Sequence, residues 1–301
     1  MKKVHSPFHG RDVKFGRKRP TSRPRLHLKS YLTALPAPPA SCDYSPKALP
    51  VLSDIMQNDQ LGDCVIAGGY HIVGVETGNC GPIFHANSAQ VTKDYSAIGG
   101  YVPGDESTDN GCELPVALDY WTKHGFANGT KLVGHLAVDA ADKNEVMLAC
   151  HLFENLYIGM GLPDHWVNPM PSGSGFKWDV AGAPVPENGH CVMGMGYDTN
   201  GVKIDTWGML GTLTWAALAK YAAAHGGGEL HVMLSPDQLA KGQTKAPNGI
   251  DWSALLADFN AMGGHAPIPN PTPNPPPAPV TGVSLGLAQV QALLAHVWPK
   301  Q

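Results

Sequence analysis

A chain of 301 residues with 43% hydrophobic side chains carries enough apolar material for one large core or two small ones, which excludes wholesale disorder. Only 15% of the residues are charged, while 35 glycines and 27 prolines impose many turns and long connections, excluding a helical bundle or a coiled coil. No apolar run approaches the roughly 18 residues that cross a bilayer, and the opening MKKVHSPFHGRDVKF lacks the apolar stretch of a signal peptide, so a cytoplasmic location is the default expectation.

The net charge of −4 conceals an asymmetry. Residues 1–30 hold ten of the 21 lysines and arginines against a single acid, Asp12, which leaves the other 271 residues at −13. A basic arm on an acidic body can bind nucleic acid, an anionic surface or the body itself. Without aromatic interleaving or a nucleic-acid-binding signature, a solvated or self-docking arm is the favoured reading, and nucleic acid is not the expected partner. The arm runs over 1–45 and ends in the Pro/Ala stretch LPAPPAS, an extended linker.

Periodic patterns fill residues 46–265. Helices are expected over Cys64–Val75, with Asp63 as N-cap, then Ser88–Ala97 and Leu114–Lys123, the last stopped by Gly125. Asp142–Phe153 reads as a further helix and Leu156–Gly161 as a strand. His190–Tyr197, the Asp198–Gly201 turn and Val202–Trp207 make a hairpin. Leu213–Ala224 reads as helix and Glu229–Leu234 as the last strand. Helices early and a mostly antiparallel sheet late give an α+β domain. Residues 266–282 form a polyproline linker, with eight prolines between Pro267 and Pro279, and 283–301 an amphipathic helix that docks on the domain or on a partner.

Six cysteines at 42, 64, 80, 112, 150 and 191 include no CxxC pair or zinc spacing, so neither a metal centre nor a disulfide scaffold is expected. The acidic loop Asp105, Glu106, Asp109 and Glu113 fits no calcium motif and reads as solvated, while His71 reads as structural. Cys64, at a helix start after a Gly-Asp turn, meets unpaired N–H groups and the positive end of the helix dipole, both of which favour a thiolate. His190 and Asp205 lie on paired strands, where a carboxylate could hold one imidazole nitrogen while the other faces a thiol.

These blocks resemble, in collinear order, a papain-like cysteine peptidase domain: Asn58, Gly62-Asp63-Cys64, Asn110-Gly111-Cys112 with Ala117-Leu118-Asp119-Tyr120, Gly189-His190-Cys191-Val192, Gly196-Tyr197 and Asp205-Thr206-Trp207-Gly208. The chain is especially similar to a divergent bacterial and phage group carrying an Asn-Asp-x-x-Gly-Asp-Cys block. The resemblance implies a papain-like fold, with a helical half whose central helix is headed by the cysteine, packed on a sheet that carries the histidine. It implies a thiol hydrolase that cleaves, or transfers across, peptide or amide bonds with no cofactor. Cys64 matches the nucleophile, His190 the general base, Asp205 the orienting residue and Asn58 the oxyanion-hole amide, with Gln57 and Gln60 as fallback donors. Trp207 matches the tryptophan that shields the histidine. Asp63 and Val65 depart from the pattern, and no inhibitory propeptide is recognisable in the 63 residues before Cys64. The alternative is a papain-like scaffold whose catalysis is dispensable, acting as a structural or interaction protein, for example a virion or surface-assembly component, through its arm and terminal helix.

Overall fold

The computed structural model describes residues 2–24, 26–34 and 37–264, so the polyproline linker and terminal helix expected over 266–301 lie outside the described residues. In chain order the elements are β1 (Lys3–Ser6), β2 (Arg11–Lys14), β3 (Cys42–Asp43), α1 (Leu49–Leu52), α2 (Cys64–Cys80), α3 (Ser88–Gly99), α4 (Leu114–Lys123), β4 (Gly134–Ala137), α5 (Lys143–Phe153) and β5 (Leu156–Gly161). They continue with α6 (Asp164–Val167), β6 (Phe176–Trp178), β7 (Gly189–Tyr197), β8 (Gly201–Thr206), β9 (Met209–Thr214), α7 (Trp215–Tyr221), β10 (Glu229–Leu234), α8 (Pro236–Lys245) and α9 (Trp252–Ala261).

Helix α2 is the axis of the molecule. Every residue from Cys64 to Glu76 is buried, as expected of a helix that is apolar on all sides. Its helical neighbours are α1, α3 and α4, and its other side lies against β7. Two cores result. One gathers α2, α3 and α4 around Tyr70, Tyr95 and Trp121. The second lies around the sheet and includes Phe153, Ile158, Val192 and Phe259. The sheet runs β4-β10-β5-β7-β8-β9-β6, with β3 added beside β7; β6 and β9 pair in parallel and the other neighbours antiparallel.

Local chemistry sets the element ends. Asn87 and Gln90 form a reciprocal capping box at the start of α3. Asp142 accepts from the Asn144 and Glu145 N–H groups ahead of α5, so it caps the helix it was expected to open. Gly125 adopts φ +83° just beyond α4 and donates to Trp121 O at 3.0 Å. The helix expected from Leu213 begins only at Trp215, because Thr214 accepts from the Ala217 N–H as its cap and residues 209–214 form β9.

The N-terminal arm does not stand apart. β1 and β2 form a hairpin, and Val13, Phe15, Leu28 and Tyr31 are buried in the sheet-side core. The described residues on both sides of position 45 belong to one compact unit. A linker boundary there is therefore corrected: the arm carries core residues of its own.

Candidate active site

Cys64 is the first residue of α2 and is buried. Burial pushes its thiol up to about 12, opposed by a hydrogen bond from the Cys191 backbone and by the nearby Arg17 charge, while Asp63 adds to the rise. Asp63 occupies the cap position, but its side chain makes no capping bond, its polar neighbour being the Asn58 side chain. The expected N-cap role is thus corrected. Full burial drives the Asp63 carboxyl far above its usual range, toward the neutral acid.

His190 stands near the start of β7, 1% exposed. Trp207 stacks on its ring at 3.8 Å and 15°. Trp207 (φ +47°) and Gly208 (φ +71°) form the two-residue connection between β8 and β9, the positive-φ pair of a type I′ turn. A tryptophan in that conformation is strained by about 1 kcal/mol or more, and the stacking on His190 shows what the strain secures. Burial alone pushes the imidazole down to about 3. Thiol and imidazole are therefore both neutral in this conformation.

The residue hydrogen-bonded to His190 is Thr206, whose Oγ1 lies 2.8 Å from Nε2, while Nδ1 has no partner. Asp205, expected to orient His190, instead meets His71 Nδ1 at 2.9 Å. Strand alternation explains the correction. Asp205 is in register with Met193, so it points to the face shared by Cys191 and Met193 that packs on α2, where His71 stands. Thr206 falls on the opposite face, in phase with His190. Although burial works against the charge, Asp205 and the Asp54 carbonyl hold the His71 pKa above its ordinary value.

Asn58, Cys64, His71, His190, Asp205, Thr206 and Trp207 all line one cavity of about 10 Å³, room for at most a single water. Asn58 donates from Nδ2 to Leu61 O at 3.0 Å, which leaves a second N–H on that nitrogen. The fallback donors are elsewhere: Gln57 bonds to Ser88 O and Thr92 on α3, and Gln60 is exposed. Thr206 and His71 were not picked out as site residues. The Asp-Thr-Trp-Gly block located the first, but only register reveals which face it serves.

The N-terminal arm runs beside this cavity, although none of residues 14–18 lines it. Lys14 N–H donates to Asn58 O, and Gly16 and Arg17 N–H both donate to Gly189 O. Cys112 N–H donates to Gly16 O, and Lys18 N–H to Cys112 O. Residues 14–18 thus bridge Asn58 and Cys112 of the helical half to Gly189, the neighbour of His190. Phe15 lies edge-on to His190 and Trp207, and Trp207 Nε1–H donates to Lys14 O. Such approach needs glycine: a Cβ on Gly16 would stand 1.8 Å from Gly62 O, one on Gly111 1.9 Å from Gly16 O and one on Gly189 2.2 Å from Arg17 O. Two buried ion pairs anchor the strap, Lys14 to Asp109 at 2.7 Å and Arg17 to Glu229 at 2.8 Å. The acidic loop read as solvated therefore receives the strap, Asp109 being buried and Glu113 accepting from Thr21 N–H. Likewise, the segment in which no inhibitory propeptide was recognised packs against His190 and Trp207 through Phe15.

No protein-family model and no curated protein sequence matches the chain. Solved structures do. Xylellain, a cysteine protease from Xylella fastidiosa, superposes with a TM-score of 0.56 at 13% identity, over 78% of this chain and 98% of that one. Procathepsin L 3 from the larval midgut of Tenebrio molitor gives 0.52 at 14% identity, over 74% and 76%. The cysteine protease and lectin-like domains of Cwp84, a surface layer associated protein of Clostridium difficile, give 0.51 at 11% identity, over 77% of this chain and 60% of that one. Central helix, sheet order and these superpositions agree: the chain has the α+β fold of papain-like cysteine proteases.

Proposed function

We propose that the chain is a thiol hydrolase of peptide or related amide bonds, held latent here by residues 14–18. The observation that carries the reading is that one small cavity is lined both by Cys64, at the head of the buried central helix, and by a His190 that is stacked under Trp207, held at Nε2 by Thr206 and unpartnered at Nδ1. In the reaction, Cys64 gives its proton to His190 Nδ1 and its sulfur attacks the carbonyl carbon. The Cys64 N–H and the Asn58 N–H that is not bonded to Leu61 O hold the oxyanion. His190 then returns the proton to the departing amine, leaving a thioester. It next takes a proton from water, whose oxygen displaces the sulfur and releases the acid. Thr206, accepting from Nε2–H, fixes the tautomer that keeps a lone pair on Nδ1, replacing Asp205 in the orienting role.

Latency follows from the same contacts. The strap lies over His190 and Trp207, and burial of the site keeps the thiol protonated and the imidazole neutral. The test is peptide-amide hydrolysis by the full chain with the strap displaced. Hydrolysis abolished by Cys64→Ala supports the proposal, whereas a displaced strap, an alkylatable Cys64 and no cleavage of any peptide in a mixed library refute it.

A further inference from the structure

Outside the cleft, two of the six cysteines face one another. Cys42 sits in β3, paired with Tyr197 of β7, and its Sγ lies 4.0 Å from Sγ of Cys150 in α5. Cys150 is wholly buried and Cys42 half-buried, so only Cys42 offers a reagent a path from solvent. The contact with Cys150 and a backbone hydrogen bond at Tyr197 hold the Cys42 thiol below its ordinary value against the effect of burial; the Cys150 thiol is raised by the same contact. That division gives a reactive outer sulfur and a resolving inner one. Closing the gap to a disulfide of about 2.05 Å takes a shift of about 2 Å between the two sulfurs.

We infer that Cys42 and Cys150 form a peroxide-reactive pair that closes into a disulfide, tying the segment that follows the strap to α5. In the first step the Cys42 thiolate attacks a hydroperoxide, breaking the O–O bond and giving the sulfenic acid and hydroxide. In the second, the Cys150 sulfur attacks the Cys42 sulfur, the S–O bond breaks, and water leaves with the Cys150 proton. The two thiols together lose two electrons and two protons, and the hydroperoxide is reduced. Nothing in this chemistry uses Cys64 or His190, so it stands or falls apart from the hydrolase reading.

The experiment treats the reduced full chain with hydrogen peroxide, blocks remaining thiols with iodoacetamide, and maps the digest without reduction. The expected product is a Cys42–Cys150 cross-linked peptide lighter by two hydrogens, formed before the exposed Cys80 is oxidised and reversed by dithiothreitol. In Cys42→Ser, Cys150 should stay reduced and alkylatable only after unfolding. In Cys150→Ser, Cys42 should stop at the sulfenic acid, which dimedone traps. Over-oxidation of Cys42 in the parent protein with Cys150 still reduced, or a cross-link that joins other cysteines first, overturns the proposal.

Discussion

A methyl group at position 16 should open the cleft. The Cβ of Gly16→Ala would lie 1.8 Å from Gly62 O, far inside the 3.4 Å at which ordinary contact begins, and the neighbour is backbone that cannot rotate away. Relief requires the strap to lift, which breaks the four backbone hydrogen bonds that join residues 16–18 to Gly189 and Cys112. At a net worth of about 1 kcal/mol each, these bonds contribute about 4 kcal/mol to the closed state. Their loss raises the open population by a factor on the order of a thousand. Alkylation of Cys64 by iodoacetamide near neutral pH, read by peptide mass spectrometry, should accelerate by a similar factor. Cys150, buried in α5 and touching none of residues 14–18, is the internal control for global unfolding. Gly189→Ala, whose Cβ would stand 2.2 Å from Arg17 O, attacks the same crossing from the body side and should give the same result. Unchanged Cys64 labelling in folded Gly16→Ala would refute the reasoning, as would labelling of Cys64 and Cys150 in parallel.

Three further outcomes follow from the site. In the Gly16→Ala background, Thr206→Val should leave the melting temperature near that of its parent but slow Cys64 alkylation and peptide hydrolysis roughly a hundredfold, because the imidazole loses its fixed tautomer and angle. Asp205→Asn should do the reverse, costing about 3 kcal/mol in urea unfolding by breaking the buried pair with His71, with little effect on the labelling rate of folded molecules. Acid should weaken the closed form through His190. Its folded pKa is about 3 against 6.5 for the free group, so between those values the unfolded chain binds a proton that the folded one does not. Stability therefore falls as pH drops, by about 2 kcal/mol at about pH 5 from this group, and thermal melts of His190→Gln should show a flatter pH dependence over that window.

What the sequence disclosed, and what it withheld, divides along chain distance. Leu114–Lys123, Leu156–Gly161 and Glu229–Leu234 stand where their patterns placed them, because a capped amphipathic turn or a short apolar run between turn residues is decided locally. The order of blocks around Cys64, Cys112 and His190 pointed to the fold, and one cavity contains Asn58, Cys64, His190, Asp205 and Trp207. The strap was hidden because its partners lie far away in sequence: Arg17 meets Glu229 across 212 positions, and nothing near Arg17 records that. Charge gave the only hint, a basic arm above an acidic body, without saying where it docks. Asp205 and Thr206 failed differently. A block of adjacent residues fixes position to within a step, while a strand's two faces alternate at every step, so the side chain that bonds His190 lies one residue further on.

The most direct measurement joins chemistry to place. Strap-displaced Gly16→Ala is incubated with a peptidyl epoxide that alkylates activated thiols, and the adduct is located by mass spectrometry with and without His190→Gln. The account predicts one adduct, on Cys64, formed near neutral pH and lost with His190. An adduct spread evenly over the six cysteines, or one on Cys64 that is indifferent to His190, would contradict it.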